Sequence, residues 1–257
     1  MALMIVRKSS DLVLNLRDPD AGLFPRNHIL EPEYHQERYV SASRAIQKLR
    51  GSFRVGDLSL LQREPFRGVQ PVYADDETDP ASLAWEGMIQ SDGTPLSGSN
   101  LNICALKSNC VRFGYVDTSL ARSVTRDFYA AKRNRSAVEK HDVLINSTGD
   151  GTLGRVAVFG YDFPAVVDGH ITILRYNDPD VAWYVAAFLL STEGQRQIYR
   201  YINGSSGQVE IYPQDIERIW VRPAPAARMR AVASAFQNAC RKHDEFFRDI
   251  RAALNLI

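Results

Sequence analysis

Between Asp142 and Phe159 the sequence leaves the backbone few options. Asp142-Val143-Leu144-Ile145 is a short apolar run, and Arg155-Val156-Ala157-Val158-Phe159 is a second. Between them, Thr148-Gly149-Asp150-Gly151-Thr152-Leu153-Gly154 carries three glycines in seven positions. β-Branched residues suit strands, and glycine admits the positive φ of tight turns. The pattern therefore predicts strand, turn, strand. Gly149, Gly151 and Gly154 also fit the loose G-x-G-x-x-G spacing of a dinucleotide loop. Such a loop must open a helix whose N-terminus faces the pyrophosphate, and here a strand follows. No Gly-Lys-Ser/Thr follows either, which excludes a P-loop. The glycines instead serve a tight turn and a close approach of backbone to a partner.

Downstream, 165–176 reads as a third strand interrupted by Asp168-Gly169-His170. Asp168 and His170 suggest a catalytic pair or metal ligands. With no third partner in sequence, structural hydrogen bonding is the reading preferred. A helix is expected from about 179 to 201, with Val185, Phe188, Leu189, Thr192 and Tyr199 near one face. The loop Asn203-Gly204-Ser205-Ser206-Gly207-Gln208 follows, then a short strand, Val209-Glu210-Ile211. Ser205, Ser206 and Gln208 can donate to and accept from base edges; the plain alternative is a hydrophilic turn.

Pro223 and Pro225 mark a boundary. Beyond it Met229, Val232, Phe236, Ala239, His243, Phe246, Ile250, Ala253 and Ile257 step by three and four. That is a seam of about four heptads, the pattern of a coiled coil. One exposed helix cannot bury such a seam alone, so a partner helix is expected.

Upstream, 33–49 is periodic for a helix through Tyr39, Ala42, Ile46 and Leu49, with Gly51 to end it. Loops and short strands are expected over 63–100, where Arg67 and Gln70 flank Gly68 as candidate nucleic-acid contacts. The acidic loop 75–79 lacks the alternating ligand spacing of a calcium site. Strands are expected at 101–106 and 111–116. From 107 to 135 seven cations (Lys107, Arg112, Arg122, Arg126, Lys132, Arg133, Arg135) face two acids (Asp117, Asp127), leaving five net positive charges. The whole chain of 257 residues carries only +1. A basic stretch with Phe128 and Tyr129 inside it is either a solvated face or a surface for phosphates, whose counterions are released on binding.

With 45% hydrophobic and 24% charged residues the chain is of the globular class. Cys104, Cys110 and Cys240 lack zinc-like spacing and read as free thiols of a cytoplasmic protein. No apolar run reaches membrane-spanning length, and the apolar start is too short for a signal peptide.

The strand–turn–strand of 142–157 and the helix–loop–strand of 191–225 together resemble the target recognition domain of specificity subunits of type I restriction–modification enzymes. The Pro32-Glu33-Tyr34 entry and Val55-Gly56-Asp57-Leu58 resemble the same family. The resemblance covers roughly 33–255. It implies an α+β fold: a mixed, largely antiparallel, β-rich recognition domain with packed helices over 33–223, followed by one long coiled-coil helix over 224–257. Residues 1–32 form an extension of unassigned role. Full-length subunits of that family carry two recognition domains and two long helices, so this chain resembles a half-subunit that pairs with a second copy.

The implied function is sequence-specific recognition of double-stranded DNA, without catalysis in this chain. The candidate DNA contacts are Arg67, Gln70, Lys107, Arg122, Arg126, Lys132, Arg133, Arg135, Thr148, Arg155, Ser205, Ser206 and Gln208. The expected partner helix face is Met229, Val232, Phe236, Ala239, His243, Phe246 and Ile250. No Asn-Pro-Pro-Tyr/Phe, Asp-Pro-Pro-Tyr or Walker motif is present. The resemblance places S-adenosylmethionine in a partner methyltransferase subunit, and adds a motor–nuclease subunit as a further partner. Two alternatives stand beside it. One is a protein-interaction module of a phage-defence assembly with the same fold. The other is a metal-dependent nuclease using Asp142, Asp150, Asp168 or His170.

Overall fold

The computed structural model describes residues 32–74, 83–90, 92–204, 209–254 and 256. Residues 1–31 of the expected extension 1–32, the acidic loop 75–79, and Ser205, Ser206 and Gln208 lie outside them. In chain order the elements are α1 (Glu37–Gln47), β1 (Phe53–Arg54), β2 (Phe66–Arg67), β3 (Ile103–Leu106) and β4 (Arg122–Val124). Then come α2 (Arg126–Ser136), β5 (Ala137–Val138), β6 (Val143–Asn146), β7 (Val156–Val158), β8 (Ala165–Val167) and β9 (Ile171–Leu174). The chain finishes with α3 (Pro179–Leu190), α4 (Thr192–Arg200), α5 (Pro213–Ile216), β10 (Trp220–Val221) and α6 (Ala226–Leu254). The fold is the expected α+β arrangement.

Two four-stranded sheets lie face to face, with helices outside each. One runs β2-β9-β6-β7 and is antiparallel throughout. The other runs β4-β3-β8-β5, and its β3–β8 pair is parallel. Side chains alternate along a strand, and here both faces find cover. Val143 and Ile145 of β6 join α3 residues Val185 and Leu189 in one core. Leu144 points the other way and meets Cys104, Leu106, Ala165 and Val167 of the second sheet. The far face of that sheet, Ile103, Ala105, Val124 and Val166, is covered by Phe128 and Tyr129 of α2. Strands buried on both faces read as unbroken apolar runs, which is why Val143-Leu144-Ile145 shows no polar alternation.

Several expected elements are split. The strand expected over 165–176 is two strands in different sheets, β8 and β9, and Asp168-Gly169-His170 is the crossing. The helix expected over 179–201 breaks at Ser191, whose hydroxyl caps α4 by accepting from the Gly194 N–H at 3.2 Å. The break turns Tyr199 outward, 45% exposed, instead of onto the core face. The strand expected at 111–116 is a tight bend closed by a Val111–Val116 bridge, with Gly114 at φ 103°. All three cysteines are free thiols.

The N-terminal half of α6 packs on α3. Met229, Val232, Ala233, Phe236 and Cys240 enter the main core, and Phe236 meets Trp183 edge-on with centroids 5.2 Å apart. His243 lies against Tyr115, with centroids 3.8 Å apart. Ala239, Phe246 and Ile250 of the expected seam point to solvent instead. A straight helix has 3.6 residues per turn, so a seven-residue seam drifts off a globular contact face.

Candidate nucleic-acid interface

The site is built where the two sheets exchange strands. β6 runs out through Asn146, paired with Ile171 at the start of β9. The pairing continues one step, Ser147 N–H donating to the His170 carbonyl at 2.8 Å. Inside, the Ser147 and Thr172 hydroxyls hydrogen-bond at 2.5 Å. Outside, Thr148 Oγ1 lies 2.6 Å from His170 Nδ1. The glycine turn and the 168–170 crossing are thereby tied together.

The loop after α4 joins the same place. Asn203 and Glu210 exchange backbone hydrogen bonds at 2.7 and 2.9 Å and close its neck. Glu210 also bridges to Thr148, Gly149 N–H donates to the Val209 carbonyl at 3.1 Å, and Ile211 N–H donates to the Ser147 carbonyl at 2.9 Å. The glycine turn and the two ends of the 203–210 loop are one structural unit. Gly149, at φ 95°, admits the bend where they meet.

β2 brings the third piece. Gly68 N–H donates to the Ile171 carbonyl at 3.1 Å. A Cβ on Gly68 would lie 2.3 Å from the Val167 carbonyl oxygen, so only glycine lets β2 press against the crossing. Gln70 follows and is exposed. Lys107 follows β3, beside Asp168, whose N–H donates to the Leu106 carbonyl at 3.1 Å. Lys107 Nζ stands 5.8 Å and Arg122 Cζ 4.0 Å from the Tyr73 ring centre. The ends of β2, β3, β6 and β8 and the starts of β4 and β9 thus gather Gln70, Tyr73, Lys107, Arg122, Thr148 and His170 at one edge.

The remaining candidates fall elsewhere or are held internally. Arg126, at the far end of β4, donates to Glu86 at 2.8 Å and to the carbonyls of Leu101 and Gly98. Lys132, Arg133 and Arg135 are exposed on α2, outside the second sheet. Arg155 staples its own turn by donating to the Gly151 carbonyl at 2.8 Å. Arg67 pairs with Glu210. His170 was not among the sequence candidates for DNA contact; its signal was a polar residue interrupting an apolar strand.

The acids of the nuclease alternative are mostly committed. Asp142 is 1% exposed and takes a bidentate pair from Arg175. Asp168, 2% exposed, accepts the N–H groups of His170 at 2.9 Å and Ser108 at 3.1 Å. Burial pushes the Asp168 carboxyl above its ordinary range, against those two N–H groups. Among the described residues, no group of three His, Cys, Asp or Glu side chains is placed to hold a metal. Nor is any described helix long and apolar enough to cross a membrane.

No family model matches the sequence, and no curated protein does. Solved structures do. The type IIG restriction endonuclease BpuSI matches over 80% of this chain and 28% of its own, at 10% identity and a TM-score of 0.50. The chain shares a fold with part of that endonuclease. A chain from the type I restriction–modification system, solved for complex assembly and conformational transition, matches over 84% of this chain and 46% of its own, at 10% identity and TM-score 0.45. The type I restriction–modification S subunit from M. genitalium matches over 72% and 37%, at 13% identity and TM-score 0.40. This chain spans less than half the length of each of these three. The α+β fold shared with part of BpuSI agrees with the architecture expected from the sequence.

Proposed function

We propose that this chain is a sequence-reading subunit for double-stranded DNA, and that catalysis belongs to the subunits it joins. One observation carries the reading: the glycine turn, the neck of the 203–210 loop, Gln70 and the Tyr73 pair of cations converge at one edge. Gln70, Thr148 and His170 offer donors and acceptors for base edges. Lys107 and Arg122 offer charge for phosphates beside them. Lys132, Arg133 and Arg135 of α2 extend the positive surface. The partners on this reading are a methyltransferase subunit that carries S-adenosylmethionine, a motor–nuclease subunit, and a second copy of this chain through α6. Such an assembly works in the cytoplasm and serves phage defence.

The test is a pull-down from the native host, with the methylated motifs of the genome compared with and without this chain. Co-purification of a methyltransferase and loss of one methylated motif is the expected result. In purified form, Arg133→Ala should weaken binding to every duplex and lower the salt slope by about 0.9 if it contacts one phosphate. Gln70→Ala should change mainly the choice of sequence. Salt-insensitive capture of a protein partner, with an unchanged methylome, would move the assignment to the interaction module.

A further inference from the structure

Arg67 follows the pattern of a phosphate contact in sequence, a cation beside a glycine on a loop. Its surroundings give it different work. β2 fixes its backbone against Thr172 of β9. One end of the guanidinium is paired with the Glu210 carboxylate, and Nη2 donates to the Ile211 carbonyl at 2.6 Å. The group lies 5.4 Å from the centre of the Tyr212 ring. Its side chain is 22% exposed and that of Glu210 is 29% exposed. A phosphate approaching this guanidinium would meet a carboxylate of its own sign already paired with it.

Glu210 is the residue on which the site turns. Its backbone closes the neck with Asn203 and bridges to Thr148 of the glycine turn. Its side chain reaches to β2. Burial would raise its carboxyl, but hydrogen bonds from Arg67 and Tyr212 outweigh that and hold it below the ordinary range. The carboxylate therefore stays ionised and paired at neutral pH. Through this one residue the end of β2, with Gln70 just beyond it, is locked to both recognition loops.

We infer that Arg67 is a positioning residue: its pair with Glu210 sets the register of the three loops that read sequence, and it adds nothing to phosphate binding. The inference rests on the DNA-reading assignment above and deepens it. Removing the clamp should loosen discrimination between sequences while leaving the electrostatic part of binding intact, because base contacts need placed loops and phosphate contacts need only charge.

The experiment uses the full chain and two probes. One is a duplex that the wild-type protein enriches from a randomised pool; the other is the unselected pool. Arg67→Ala should lower the affinity ratio of selected to unselected duplex by about tenfold, the scale of one lost base contact. The salt slope on the unselected pool should stay at the wild-type value. Amide exchange should lose protection at Asn203, Glu210, Gly149 and Ile211 and nowhere else. The exchanged pair Arg67→Glu with Glu210→Arg should restore part of the discrimination. Arg67→Lys, which keeps charge but not the two-ended grip, should restore little.

A salt slope that falls by about 0.9 with the ratio unchanged would make Arg67 a phosphate contact after all. Unchanged exchange at the four amides in Arg67→Ala would overturn the clamp with or without DNA. A wild-type protein that enriches no duplex removes the DNA reading, and with it the specificity role. In that event the exchange measurement still reports separately whether the clamp exists.

Discussion

Asp142 and Arg175 face each other across the β6–β9 pair, Nε to Oδ1 at 2.9 Å and Nη2 to Oδ2 at 2.7 Å. The Glu139 N–H also donates to Asp142 at 2.7 Å, and Arg175 reaches the Glu139 carboxylate and the Ala137 carbonyl. Burial pushes the Asp142 carboxyl up, against the arginine beside it. Burial also lowers the Arg175 guanidinium, but Asp142 and Glu139 outweigh it and leave it above its usual value. The bidentate geometry identifies an ionised pair at neutral pH. Arg175→Met strands a buried carboxylate and should cost about 3–5 kcal/mol of stability. Asp142→Leu combined with Arg175→Met should recover most of it. Urea denaturation of the two variants decides the point: equal loss in both would mean that the pair's packing matters, not its charge.

Two glycines near the candidate interface should respond differently to alanine. At Gly68 the new Cβ would meet the carbonyl oxygens of Val167 and Asp168 at 2.3 and 2.4 Å. Backbone cannot yield there without unpairing β2, so a loss at the upper end of about 1–3 kcal/mol is expected. Gly151 has open space around it but a φ of 77°. Its alanine variant should lose about 1–2 kcal/mol, the strain of the left-handed region alone. Thermal melts rank the two. A Gly151 variant less stable than the Gly68 variant would contradict the packing argument.

The sequence made the core legible and left the sheet assignment hidden. Val143-Leu144-Ile145 and Val156-Ala157-Val158 announced a hairpin because apolar runs and three glycines admit little else. The same apolarity concealed which face meets which layer, since both faces are covered. At 165–176 continuity of apolar residues predicted one strand, and only pairing partners reveal that Asp168-Gly169-His170 carries the chain between sheets. Loop candidates could be found by residue type, but not their internal partners. Nothing near Arg67 in sequence points to Glu210, which lies 143 residues away.

The seam of α6 divides into residues with different duties. Phe236 packs on Trp183 and Gly114, half-buried. Phe236→Ala should cost about 2–3 kcal/mol, below the range for fully buried phenylalanine. Phe246 is 57% and Ile250 41% exposed, on the same helix two turns or more further on. Alanine at both should change stability by less than about 0.5 kcal/mol, as exposed positions do. If the second copy docks through α6, the same double variant should abolish self-association in sedimentation measurements. Unchanged association would exclude this face as the dimer contact, while the Phe236 result would stand by itself.

The attachment of α6 to the body has a pH dependence of calculable sign. Asp244 on α6 accepts from the Tyr161 hydroxyl at 3.2 and 3.1 Å, one distance to each carboxylate oxygen, and lies 3.5 Å from His243 Nδ1. Burial raises its carboxyl above the ordinary value of 3.8, and Tyr161 and His243 only partly offset this. With the folded value above the unfolded one, the native chain binds more protons between the two. Stability from this group is therefore full below 3.8 and declines as pH rises through the folded value. The side chain is 42% exposed, so solvent screens the effect and keeps it small. Asp244→Asn keeps an acceptor for Tyr161 and removes the titration. It should be at least as stable as the wild type at neutral pH, and the difference should shrink or reverse in acid. A variant less stable at neutral pH, with the gap closing in acid, would show instead that the ionised carboxylate holds the helix in place.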